Sequence, residues 1–127
     1  MGVQFTKQQL LDLAKGIGQE LGHKDEEKSG SLIIRAAKTT IENIDTASKE
    51  RAVDILLEAI EKAKATYENN LHDGKGWELL KGSSFILGVW RVQKAVPIIS
   101  TLLKCETWNV RNTAAIALQE IIKKEES

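Results

Sequence analysis

Apolar residues recur every three or four positions along most of this 127-residue sequence, and this spacing constrains the fold more than any other feature. The stretch from 6 to 21 is an example, because Leu10, Ala14 and Ile17 fall on one face of a helix. The sequence contains one proline, Pro97, and no alternating run that requires a strand. We therefore predict an all-α fold.

Six helices are expected, at about 6–21, 31–44, 48–70, 77–91, 94–104 and 108–123. Thr6 and Asp45 are residue types that cap helix N-termini, and Pro97 is tolerated in the first turn of the fifth helix. The helices are predicted to pair as three hairpins of one domain that spans 1–127, at about 6–44, 48–91 and 94–123.

The second half of the sequence contains an internal repeat. At a shift of 31 residues, WELLKGSSFILGVW (77–90) aligns with WNVRNTAAIALQEI (108–121), so that Trp77 matches Trp108. At a shift of 43, KERAVDILLEAI (49–60) aligns with VQKAVPIISTLL (92–103). The segment 31–44 aligns more weakly with the last helix. Repetition of this kind predicts stacked helical hairpins.

The last repeat resembles the short variety of the HEAT repeat. An AVP start at 95–97 is followed by a V-R-x-x-A-A-x-A-L pattern that consists of Val110, Arg111, Ala114, Ala115, Ala117 and Leu118. The resemblance implies an α-α superhelix, a HEAT/armadillo-like solenoid, in which the second helix of each hairpin lines a binding face. The sequence departs from the family at Cys105, where an acidic residue is usual, and at Leu80, where the middle repeat lacks the arginine.

The alanines of the last helix indicate close packing against its neighbours, because small side chains allow helix backbones to approach. We expect Arg111 to bond a neighbouring backbone carbonyl or a carboxylate within the turn that precedes this helix. Its role is therefore predicted to be structural.

An exposed polar stripe is predicted along the second helices of the three hairpins. On the fourth helix, residues at helical spacing place Trp77, Lys81, Ser84, Gly88 and Arg91 on one line. According to the repeat alignments, the equivalent residues of the sixth and second helices form the same line. The resulting candidate partner-binding residues are Arg35, Lys38, Trp77, Lys81, Arg91, Trp108, Asn112 and Gln119. Alternatively, the two tryptophans pack against the turns that precede their helices.

Charge is balanced overall, with eighteen basic and eighteen acidic side chains, so nucleic acid and anionic membranes are not favoured as partners. Its distribution is uneven. From 42 to 73 there are eight acidic side chains against four basic ones, and from 75 to 111 six basic against two acidic. This polarity favours oriented docking to a charged protein or end-to-end self-association, unless it arises by chance.

No motif predicts catalysis, a metal or a cofactor. Cys105 is the only cysteine, the His72–Asp73 pair has no nucleophile beside it, and Lys81-Gly82-Ser83 reverses the order of a phosphate-binding loop. We therefore expect no enzyme. Neither a signal peptide nor a membrane-spanning segment is visible, which favours a cytoplasmic protein.

The leading hypothesis is a non-enzymatic protein–protein interaction module that binds its partner on the face formed by the second helices. One alternative is a nucleic-acid-binding HEAT-like protein that uses Arg35, Lys38, Lys81 and Arg91 to contact phosphates. Another, by analogy with other small helical-repeat proteins, is an immunity-type protein that neutralises a toxin.

Overall fold

The computed structural model describes residues 5–21, 31–69 and 77–126, and no strand occurs within these ranges. Six α-helices occur there: α1 (Lys7–Glu20), α2 (Ser31–Glu42), α3 (Thr46–Asn69), α4 (Trp77–Val89), α5 (Val96–Thr101) and α6 (Trp108–Glu126). Short 3-10 turns, Gln93–Ala95 and Leu102–Lys104, flank α5. The predicted all-α fold is confirmed. His23, His72 and Asp73 lie outside the described residues.

The predicted helix starts are formed by local capping. The Gln9 amide donates to Thr6 Oγ1 at 3.1 Å, and the Thr6 amide donates to Gln9 Oε1 at 3.0 Å, which together form a capping box. Before α3, the Ser48 amide donates to Asp45 Oδ1 at 2.8 Å. Pro97 lies in the first turn of α5, where its missing N–H costs no helical hydrogen bond.

The turn before α6 is held as predicted. Arg111 donates from one guanidinium nitrogen to the backbone oxygens of Cys105, at 2.7 Å, and Glu106, at 2.9 Å. These carbonyls follow the last 3-10 turn, so the arginine joins the end of the fifth helical segment to the start of α6. The predicted bonding of Arg111 to backbone carbonyls of the turn is confirmed.

Helix α4 is the centre of the protein. It packs extensively against α1, α3 and α6, and it also contacts α2. Its Leu80, Ile86 and Leu87 are fully buried. Near its C-terminal end, the indole of Trp90 donates to the Ile41 oxygen at 2.8 Å, which joins the end of α4 to the last turn of α2. A helix that is apolar on almost every side is expected in such a central position.

Glycines bring α4 into backbone contact with the helices on both sides of it. A Cβ atom on Gly82 would overlap the backbone of Ala14 in α1, and one on Gly18 would overlap the backbone of Glu78 in α4. These two contacts run in opposite directions along the two helices, so α1 and α4 cross antiparallel. On the other side, a Cβ on Gly88 would lie 2.9 Å from the Ala117 Cα of α6.

The predicted exposure of the α4 stripe is wrong. Lys81, Ser84 and Gly88 are all buried. The reason is that α1 covers the first half of α4 and α6 covers the part around Gly88. Lys81 Nζ donates to the Leu21 oxygen at 3.2 Å, so this cation lies at the C-terminal end of α1, where a positive charge is favourable. Lys81 is therefore not an exposed partner-binding residue.

The candidate binding residues predicted on α2 and α6 are exposed. Arg35 and Lys38 of α2 and Asn112 and Gln119 of α6 all face solvent. However, α1 and not α2 makes the extensive contact with α4, so the three second helices do not form one continuous exposed line.

The tryptophans that begin α4 and α6 have different surroundings. Trp77 is half-buried and packs against the core, whereas the Trp108 side chain is 63% exposed. Although the repeat aligns these two tryptophans, their environments differ, because α4 has helices on both sides and α6 keeps one open face. Trp108 is exposed and Trp77 packs against the core, and the turn at 70–76 against which Trp77 is predicted to pack lies outside the described residues.

Candidate functional site

A cavity of about 730 Å³ opens between α2, α4 and α6. We call it the α6 groove. Its lining residues are Leu21, Lys38, Glu42, Phe85, Gly88, Val89, Arg91, Trp108, Asn109, Asn112, Thr113, Ile116, Ala117 and Glu120. They come from the end of α1, the last turns of α2, the second half of α4 and one face of α6.

The α6 side of the groove is a row of residues spaced four apart. Trp108, Asn112, Ile116 and Glu120 follow one ridge of the helix surface. Trp108 is 63% exposed and Ile116 is 50% exposed, which is unusual for such large apolar side chains. The groove therefore presents two apolar contacts with an exposed asparagine between them.

The α4 side supplies a rigid floor. Phe85 and Val89 are half-buried, and each lines the groove while packing against the core. Gly88 lies between them in sequence and allows α6 to approach α4 closely. Because this close contact fixes α6 on α4, the row on α6 is held at a defined position above the floor.

Charges of both signs line the groove. Helix α2 contributes the exposed Lys38 and Glu42. From the opposite side, Arg91 and Glu120 form an ion pair with 4.0 Å between the guanidinium nitrogen and the carboxylate oxygen. Two cations and two carboxylates give the groove no net charge, so it does not resemble a basic channel for a polyanion.

Four of the predicted partner-binding residues meet in this groove: Lys38, Arg91, Trp108 and Asn112. The others lie elsewhere. Arg35 and Gln119 are exposed but do not line the cavity, Trp77 packs at the start of α4, and Lys81 is buried against the end of α1.

Sequence reasoning missed the residues that make the groove apolar, above all Phe85, Val89 and Ile116. The signal for Ile116 was present, because it lies four residues after Asn112 and eight after Trp108, within a face predicted to be polar. Phe85 and Val89 gave no such signal, since their pattern is equally compatible with full burial.

Within residues 5–21, 31–69 and 77–126, no group of three histidine, cysteine or acidic side chains is arranged to hold a metal ion. None of the helices in these ranges combines the length and the apolar character needed to cross a membrane. Comparison of the chain with protein-family models, curated proteins and solved structures found no match in any of the three.

Proposed function

We propose that this chain is a protein-binding module whose α6 groove holds a short amphipathic segment of a partner protein. The observation that carries the proposal is the exposure of Trp108 and Ile116 at the edge of a formed cavity. Large apolar side chains that remain exposed beside a concave surface are typical of interaction sites. Tryptophan is also among the residue types most often found to dominate binding energy.

The balance of charge supports a protein partner over nucleic acid. A phosphate backbone is recognised by clustered cations, and binding strengthens with the number of phosphates neutralised. Glu42 and Glu120 lie beside Lys38 and Arg91 in the groove and would repel phosphates. Mixed charge around an apolar centre suits a protein segment, for which the charges select the partner and its orientation. A toxin neutralised by an immunity-type protein is one kind of partner compatible with the proposal.

We also propose that α3 to α6 form two HEAT-like hairpins closed at one end by α1. The close α4–α6 contact and the bonds of Arg111 support this arrangement. A stack of two hairpins leaves apolar flanks exposed, and α1 covers the flank of α4. Gly82→Ala, which separates α1 from α4, should then destabilise the whole stack in one cooperative loss of helical circular dichroism. A two-step loss would contradict the proposal.

We propose the cytoplasm as the site of action, because the sequence has one cysteine and cannot form a disulfide within itself. Expression of a fluorescent fusion and cell fractionation test this location. Recovery of the fusion outside the cytoplasm would contradict it.

The binding proposal is tested with two isoleucines of the same helix. Ile116 and Ile122 are each 50% exposed on α6, but only Ile116 lines the groove. A partner is first captured from the native host, identified and purified. Its affinity for Ile116→Ala should fall about tenfold, whereas its affinity for Ile122→Ala should stay within about twofold of wild type. Circular dichroism confirms that both variants fold.

Equal affinities of the two variants would contradict the proposal, because the partner would then bind another surface. Sedimentation of the isolated protein gives a second check. A dimer that Ile116→Ala dissociates and Ile122→Ala does not would show that a second copy, and not a partner, covers the groove.

A further inference from the structure

Arg91 has an unusual backbone conformation at the edge of the α6 groove. Its φ of 55° is positive, and Arg91 is the only non-glycine residue with a positive φ within the described ranges. The Arg91 amide donates to Gly88 O at 3.0 Å, and the Val92 amide donates to Leu87 O at 3.1 Å. This pair of bonds ends a helix at a position where glycine is usual. An arginine there is strained, and the strain occurs at a residue that lines the groove.

The guanidinium of Arg91 is only loosely engaged. Its contact with Glu120 is 4.0 Å long, and it forms no hydrogen bond with any residue that the structure describes. Glu120 also pairs with Lys123, whose Nζ lies 3.5 Å from the same carboxylate. The Glu120 carboxylate is thus shared by two cations, so Arg91 is not its only partner.

We infer that Arg91 binds a carboxylate of the partner, so that the segment held in the groove carries an aspartate or glutamate beside its apolar residue. This inference rests on the proposed function. The planar guanidinium offers parallel N–H donors that match the two oxygens of a carboxylate. Trp108 and Ile116 lie along the same groove and would contact the apolar residue.

A carboxylate fits this position better than a phosphate. Glu120 stays close to Arg91, and Glu42 also lines the groove. A group with one negative charge is repelled less by these carboxylates than a phosphorylated side chain, whose charge is about −1.5 to −2 near pH 7.

The test uses a random twelve-residue peptide library displayed on phage, selected separately against the wild-type protein and against Arg91→Gly. The glycine variant removes the side chain and relieves the positive φ, so it should fold with a melting temperature at least equal to that of wild type. Peptides selected by wild type should contain an acidic residue at a fixed spacing from an aromatic or aliphatic residue. Those selected by Arg91→Gly should keep the apolar residue and lose the acidic one.

The peptide that binds the wild-type protein most tightly is then synthesised, and its affinity for the wild-type protein and for each variant is measured by calorimetry. Arg91→Gly should weaken it about tenfold, and Arg51→Ala, which removes an exposed arginine of α3 outside the groove, should change it less than about twofold. Binding that depends on Ile116 but not on Arg91 would overturn the inference and leave the proposed function standing. Peptides that bind independently of Ile116, or no binding peptide at all, would overturn the proposed function together with the inference.

Discussion

Helices α4 and α6 begin with a tryptophan and share a pattern of small and apolar residues, but they have different surroundings in the fold. Helix α4 has neighbours along nearly all of its surface, and its Ser83, Ser84 and Leu87 are all buried. Helix α6 packs on one side only and leaves Trp108, Asn112 and Ile116 exposed. The comparison teaches that similar sequence patterns can form a helix enclosed by its neighbours, as α4 is, and a helix that keeps one exposed face, as α6 does.

The largest effect is expected from Gly82→Ala. The added methyl group would overlap the backbone of Ala14, so α1 and α4 must separate. We expect a loss of about 4 kcal/mol in the free energy of unfolding, at the upper end of what overpacking costs. Urea denaturation measures this change in the free energy of unfolding.

Gly16→Ala is the matched control, because a Cβ on Gly16 meets no atom within 4 Å. There the change should stabilise the protein by about 0.5–1 kcal/mol, since alanine is the better helix former. Similar effects of the two substitutions would mean that α1 does not lie against α4.

The second prediction compares equivalent leucines of the two helices. Leu87 of α4 has no exposed surface, whereas Leu118 of α6 is half-buried. Leu87→Ala should cost about 3 kcal/mol and Leu118→Ala about 1.5 kcal/mol, because the cavity left in α4 is enclosed on all sides. Denaturation of both variants by urea tests the difference, and equal costs would show that α6 is enclosed as fully as α4.

The third prediction concerns the two tryptophans. Trp77→Ala should reduce stability by about 2 kcal/mol, because Trp77 packs partly against the core. Trp108→Ala should change stability by less than about 0.5 kcal/mol, because most of its surface already faces water. If Trp108→Ala proved the more destabilising in thermal unfolding, the open face assigned to α6 would be wrong.

The fourth prediction concerns the backbone strain at Arg91 and uses Arg91→Gly. Glycine adopts a positive φ without steric cost, so the variant should gain about 1 kcal/mol of stability. The gain is measured by urea denaturation against Arg51→Ala, which should stay within about 0.5 kcal/mol of wild type. A loss of stability in Arg91→Gly would indicate that the contact with Glu120 outweighs the backbone strain.

Local features of the fold could be predicted from the sequence, because they depend on residues close together in the chain. The capping by Thr6 and Asp45 and the bonds of Arg111 within its turn all involve partners at most six residues away. Helical periodicity likewise depends only on neighbouring residues.

The choice of neighbour for α4 could not be predicted in the same way. Gly82 indicates that another backbone comes close, but nothing near it in sequence specifies Ala14, which lies in a helix far earlier in the chain. The predicted exposure of Lys81 is wrong for the same reason. The ammonium group of Lys81 donates to the end of α1, and its apolar stem is buried. Helical periodicity alone does not reveal such a contact and predicts that a lysine faces solvent.

The central claim, that α4 is enclosed while α6 keeps an open face, is tested most directly by iodide quenching of tryptophan fluorescence in wild type and in Trp108→Phe. Iodide reaches exposed indoles, and of the three tryptophans Trp108 is 63% exposed whereas Trp90 is 7% exposed and Trp77 is half-buried. We predict that Trp108→Phe removes most of the quenching and shifts the remaining emission to shorter wavelength. Quenching that persists unchanged in this variant would contradict the account.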